Sequence, residues 1–357
     1  MNNQTKGETG LKGNVISSPT FRYLNVNEII NLPELNDKPS FNFVNQSVDT
    51  AKLDEQFKSK KFGINENYTQ RLLNAASSKK YINIHENTTA EEKINYNQKN
   101  ENPDSELENL IKIQIGKNAK AKIFINYYKT GTFKNSLTLI YAGENSISDI
   151  YVTDLNPDIK FDFESIAIIT EKNAKVNLKH IIAGGKENAL NIQSFIDGDN
   201  SAVDIKGFYF LSKDDKLDLL YNSIVSGKKS NACINVKGAL KDTASKTFKG
   251  TIDFRRGAFG SVGDESETVY LLDNSVVSKS LPVLLCTEED VKGSHAASAG
   301  KIDPETLFYL MSRGYTESLA QAMIVLAGLN PLIDELNDDR ITLAAKNYIV
   351  ENLEDLE

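Results

Sequence analysis

Through the middle of the chain, small or apolar residues alternate with polar ones in short runs that recur at nearly constant spacing. The runs read Ala119-Ala121-Ile123, Ser146-Ser148-Ile150, Ala174-Val176-Leu178, Ser201-Val203-Ile205 and Ala232-Ile234-Val236, with mostly polar residues such as Lys120, Asp149, Lys175 and Asp204 between them. A period of two predicts a strand with one buried face. Each run follows an Asn. The Asn-small pairs begin at Asn87, Asn118, Asn145, Asn173, Asn200, Asn231 and Asn274, at intervals of 31, 27, 28, 27, 31 and 43 residues. Asn suits a corner, because it tolerates the left-handed conformation and its side chain caps turns. A second apolar run fills the latter half of most units, at residues 137–141, 163–169, 189–195 and 217–221. Two strands and two corners per interval predict one coil of a flattened parallel β-helix. An antiparallel sandwich also shows short, regularly spaced strands. It does not keep one corner residue and one small inward residue in register over seven units. The terminal units fit less well: Lys93 interrupts the pattern after Asn87, and Lys279 falls where an inward residue is expected.

The flanks differ in character. Residues 1–79 are rich in Asn and Lys, with helical patches at 26–32 and 68–76, and predict a mostly helical N-terminal region. The β-helix is expected over 80–300, with a loop at 95–106 between its first coils. Residues 301–357 predict helices. Asp303-Pro304-Glu305 is a helix start, stopping at Gly314. Thr316 caps a second helix, expected to end at Gly328, and Pro331 opens a short third one. A last helix from Asp338 or Asp339 carries Ile341, Ala344, Ala345, Tyr348, Ile349 and Leu353 on one side, a stripe that predicts packing on its own domain.

Composition narrows the function. The chain has 357 residues and a formal net charge of −8, with Lys and Arg scattered, so no nucleic-acid footprint appears. The two cysteines, Cys233 and Cys286, form no CxxC pair and argue against a disulfide framework or structural zinc. No signal-like segment opens the chain, and its longest apolar run, residues 322–329, is far short of a membrane span, so a reducing cytoplasm is expected. Gly184-Gly185-Lys186 lacks the spacing of a phosphate-binding loop, so no ATP hydrolysis is expected. The acidic run 260–267 lacks the ligand alternation of a calcium loop. Carbohydrate-active β-helices carry recurrent charged side chains on one outer face and an aromatic groove. Here outward positions are chemically mixed and Trp is absent.

Three stretches are more specific. Residues 254–272 (FRRGAFGSVGDESETVYLL), 289–297 (EDVKGSHAA) and 307–314 (LFYLMSRG) closely resemble the C-terminal signature of the SufB/SufD family of iron–sulfur cluster assembly scaffolds. Residues 20–25 and 84–92 are similar to earlier family segments. The resemblance implies a right-handed parallel β-helix with helical flanks, and a non-catalytic scaffold. Within the family, Ser294-His295-Ala296 looks like the SufD branch. The resemblance then implies pairing with a SufB-like subunit through the final coils, near Arg255 and Arg256. It also implies docking of a SufC-type ABC ATPase on Leu307, Phe308, Tyr309, Leu310, Arg313 and Met323. A transient cluster would form at the subunit interface; a homodimeric scaffold is the alternative.

By that resemblance His295 matches a histidine implicated in cluster assembly, and neutral imidazole is a good ligand for iron. Gly293 stands where many SufD chains carry Cys, so that thiolate is missing. Cys286 is a second candidate ligand, although a lone Cys in an apolar run also reads as a small core residue. Cys233 has the outward parity of its strand, and His180 the inward parity of a core histidine. His85 precedes the first corner and reads as structural.

Overall fold

The computed structural model describes residues 11–16, 25–27, 31–33, 50–97, 106–336 and 338–353. The family-like residues 20–24 and most of the loop expected at 95–106 lie outside them. An antiparallel ribbon of β1 (Leu11–Lys12) and β2 (Asn31–Leu32) precedes α1 (Ala51–Phe57) and α2 (Glu66–Ala75). Leu32 is therefore in a strand and residues 25–27 form a turn, not the helix expected there.

Among the described residues, sixteen strands follow. They are β3 (Ser78–Ile84), β4 (Thr89–Asn97), β5 (Glu106–Ile115), β6 (Lys120–Tyr128), β7 (Phe133–Ala142), β8 (Ile147–Leu155), β9 (Phe161–Thr170), β10 (Lys175–Ala183) and β11 (Glu187–Ile196). The rest are β12 (Ala202–Leu211), β13 (Lys216–Val225), β14 (Asn231–Leu240), β15 (Ser245–Phe254), β16 (Ser261–Leu271), β17 (Val277–Cys286) and β18 (Val291–Gly300). Odd-numbered strands build one eight-stranded sheet and even-numbered strands the other. Every pairing in both is parallel, for example Val176↔Val203↔Ala232 across β10, β12 and β14. That is a parallel β-solenoid, not a sandwich. The inward positions of both sheets fill one continuous core, including Ile123, Ile150, Leu178, Ile205 and Ile234 from the even-numbered strands.

The corners explain the repeat and correct part of it. Asn87, Asn118, Asn145, Asn173 and Asn200 all adopt φ between 56 and 59°, the left-handed region. Their amides also stack: Asn118 donates to Asn87 Oδ1 at 2.8 Å, Asn145 to Asn118 at 2.9 Å, and Asn173 to Asn145 at 2.7 Å. At the same corner of the next two coils stand Lys229 (φ 51°) and Gly260 (φ 70°). Asn231 is instead the first residue of β14, and Asn274 precedes β17 at the opposite corner, which accounts for the 43-residue interval. Lys93 and Lys279 do not interrupt the inward face. Lys93 pairs with Asp338 outside the solenoid, and Lys279 is in register with Thr247, between the lumenal positions. Replacing Asn145 by Ala removes two ladder bonds and leaves a Cβ-bearing residue without local compensation in the left-handed region. It should cost about 1–2 kcal/mol in urea unfolding, and Asn145→Gly less, because Gly keeps the conformation.

Helices cover both outer faces. Leu53, Phe57, Leu72 and Ala76 of the α1–α2 region pack on Leu110, Leu137, Leu139, Ala167 and Phe195 of the odd-numbered sheet. The N-terminal segment is held on the same sheet by Lys249, whose Nζ donates to the carbonyls of Asn14 (2.8 Å) and Val26 (3.1 Å) and to Asp218 (2.8 Å). After β18 come α3 (Pro304–Ser312), α4 (Glu317–Ile333) and α5 (Asp339–Leu353). The Asp303 and Thr316 side chains cap α3 and α4 as expected. Gly328 does not stop α4, which runs on through Pro331. A Cβ at Gly328 would lie 3.5 Å from the Phe208 ring, an ordinary contact, so the position is helical and packed on the sheet without requiring glycine. Val325, Leu329, Leu332, Ile341, Ala345 and Ile349 of α4 and α5 bury against Phe124, Tyr151, Ile181 and Phe208 of the even-numbered sheet. The α5 stripe thus packs on its own chain.

Candidate functional site at the open end

The last coil is an edge on both sides. Among the described residues, β17 pairs only with β15, and β18 only with β16. Every residue of β18 after Val291 is exposed, as are the apolar Val277 and Leu285 of β17. Long unpaired edges are templates for association, and soluble chains normally cover or blunt them.

Register defines what points into this end. Along β16 the buried positions are Ser261, Gly263, Glu265, Glu267 and Val269, alternating with Val262, Asp264, Ser266 and Thr268. Gly263↔Gly293, Glu265↔His295 and Glu267↔Ala297 then place Gly293 and His295 on the lumenal face of β18. Across the lumen, a Cβ at Gly293 would lie 3.1 Å from Leu284 Cδ1, so Gly293 faces Leu284 and His295 faces Pro282. Cys286 shares the lumenal parity of β17, in register with Phe254, and is exposed at the corner. It lies four residues, roughly 13 Å along the strand, from the position opposite His295. The structure therefore puts His295 and Cys286 in one layer without bringing them together. Gly293 occupies the inward position between them. Among the described residues, no three His, Cys, Asp or Glu side chains are arranged to hold a metal ion.

The floor of this end is polar, which sequence reasoning missed. Lys246 Nζ donates to both oxygens of Glu267 at 2.6 Å and to Ser280 Oγ at 2.9 Å. Tyr209 donates to Glu267 Oε1 at 3.0 Å and Ser280 to its Oε2 at 2.5 Å. Glu265, one inward position away, is fully buried, and neither carboxylate oxygen has a hydrogen-bond partner. Burial first, then the charges of Glu267 and Asp264, push Glu265 up to about 8. The signal was available: Glu265 follows Ile234 by one coil in register, so carrying the alternation forward places it inside.

Other candidates are dispersed. Arg255 pairs with Asp253 at 2.6 Å, and Arg256 is exposed beside it at the corner between β15 and β16. Cys233 lies half-buried on the outer face of β14. Burial and the nearby Asp204 push its thiol up to about 11, so it is not a thiolate near neutrality. Helix α3 has no fully buried residue: Phe308 is 72% and Tyr309 55% exposed, Arg313 is exposed, and Leu307 and Leu310 are half-buried. Met323 is exposed on α4.

A second polar group lies in the middle coils. Lys134 is fully buried against Asp154, Asp162 (2.7 Å) and Glu164 (3.3 Å). One cation cannot neutralise three carboxylates, and burial raises Asp162 well above the carboxylate range and Glu164 to about 7. His180, in the core as expected, is lowered by burial to about 4. The signs oppose. Glu164 loses stability as pH rises from its unfolded value through about 7, and Asp162 does so through its own raised value, while His180 loses it as pH falls from 6.5 through about 4. Thermal unfolding should therefore come earlier at pH 8.5 than at pH 6, by on the order of a few degrees. Glu164→Gln should flatten that slope.

The fold defines a parallel β-solenoid with helices on both outer faces and an inward histidine on its last strand. The chain belongs to the SufB/SufD family: residues 63–328 match the model described as SUF system FeS cluster assembly, SufBD core domain. It is 36% identical over 110 residues to the iron–sulfur cluster assembly protein SufD of Bacillus subtilis, covering 31% of this chain and 25% of that protein. It is 31% identical over 107 residues to SufB of the same organism, 30% of this chain and 23% of that protein. A SufBD family protein of Mycobacterium leprae aligns at 25% identity over 236 residues, 63% of this chain and 59% of that one. The matched segments thus span between about a quarter and three fifths of these relatives.

Proposed function

We propose that the chain is a SufD-like scaffold subunit that does no chemistry of its own. In this reading it pairs with a SufB-like subunit through the β17–β18 end and docks a SufC-type ATPase through its C-terminal helices. The nascent iron–sulfur cluster, as cargo, forms at the pairing surface with His295 as a ligand from this side. The observation that carries the reading is the juxtaposition of two uncovered edge strands with an inward, exposed imidazole. The SufD name of a matched relative and the Ser294-His295-Ala296 sequence favour the SufD branch.

Phe308 and Tyr309 support α3 as the ATPase surface, since large aromatic side chains exposed on a helix suit a partner's groove. Replacing both by Asp in a tagged chain should remove the ATPase from affinity-purified complexes, by tenfold or more in recovered subunit, while the SufB-like subunit is retained. Undiminished recovery of the ATPase would refute this docking surface.

A further inference from the structure

The unpartnered carboxylate of Glu265 is the strongest unexplained feature of the molecule. It is fully buried, yet neither oxygen accepts a hydrogen bond. A buried carboxylate without donors is expensive, and such groups in native proteins have a reason. Neighbouring donors are already committed. Lys246 serves Glu267, Ser280 Oγ and the Lys279 carbonyl, and Ser280 and Tyr209 donate to Glu267. Across the lumen stands Gly250, where a Cβ would collide with the Glu265 carboxylate, and in the layer above are Pro282 and Leu284, which carry no side-chain donor. The side chain in register directly above Glu265, on the same face, is His295.

We propose that Glu265 is the positioning residue for His295: a carboxyl oxygen of its side chain accepts the N–H of one imidazole nitrogen, which leaves the other nitrogen unprotonated and turned toward the open end. Adjacent strands lie about 4.8 Å apart, within reach of a Glu–His ladder contact. Histidines that bind metal usually donate their second N–H to a carboxylate or carbonyl, which sets tautomer and ring orientation. Here the contact forms by rotation of the exposed imidazole onto a carboxylate already in place. Gly250 is part of the device, because any side chain there would displace the carboxylate. The inference rests on His295 being the ligand on this side, but its test does not.

The test uses the full chain labelled with ¹⁵N-histidine. The chain has three histidines, so a His295→Ala control assigns the signal. In the wild type, the His295 nitrogens should show one tautomer favoured at least about tenfold. In Glu265→Leu the bias should collapse toward that of a free imidazole, with the thermal midpoint unchanged or raised, since a buried unpaired carboxylate has been replaced by a hydrocarbon. Glu265→Gln, neutral and isosteric, should give an intermediate bias and guards against misfolding of the Leu variant. Cluster maturation should fall severalfold in Glu265→Leu. Identical His295 nitrogen shifts in wild type and both variants would overturn the proposal. Normal maturation by His295→Ala would overturn the ligand reading instead, leaving the tautomer result to stand or fall by itself.

Discussion

Replacing His295 by Ala should abolish cluster maturation in a complemented strain, with reporter iron–sulfur enzyme activity down at least roughly tenfold, while the purified complex keeps its subunits. The expectation follows from position. His295 is exposed on the last strand, paired on one side only, and no hydrogen bond or ion pair of the described residues depends on its ring. Exposed substitutions of this kind change stability by about 0.5 kcal/mol or less. A loss of function with an unchanged melting profile therefore isolates the imidazole. Normal maturation by the variant would remove His295 from the site.

The largest stability effect should come from Lys246→Met. Lys246 and Glu267 are both wholly buried, and Glu265 lies beside them. Removing the cation leaves the Glu267 carboxylate buried without a counter-charge, beside a second buried acid. Breaking a buried pair in this way costs about 3–5 kcal/mol. A solenoid coil contacts only its neighbours, so the loss should appear first as faster amide exchange in β15 to β18, with the middle coils protected. The double variant Lys246→Met/Glu267→Leu should recover most of the loss, because a packed hydrocarbon pair replaces the ion pair with no orphaned charge. Equal exchange in wild type and the single variant would show that the pair is not what holds the last coil.

Much of the fold was legible because its determinant is local. Left-handed Asn corners and small inward residues recur in the text of the chain, and five of the seven marked corners are real. The two misassigned ones share one cause. Lys229 and Gly260 satisfy the same backbone requirement without being Asn, so counting Asn shifted the last units off register. Glu265 and Glu267 read only as part of an acidic run that could hold a cation, and not as inward positions of a strand. Gly328 and Pro331 misled for another reason. The tertiary contacts of α4 outweigh the local helix-breaking tendency of both residues. Cys286 was ambiguous because a lone Cys in an apolar run normally means burial in the core. At an uncovered end, it does not.

The most direct measurement is pulsed electron paramagnetic resonance on the assembled complex, with ¹⁵N-histidine incorporated only into this chain and a nascent cluster in a paramagnetic state. The account predicts a ¹⁵N hyperfine coupling at the cluster that disappears in the His295→Ala complex. A loaded cluster with no such coupling, or one unchanged by the substitution, would contradict it.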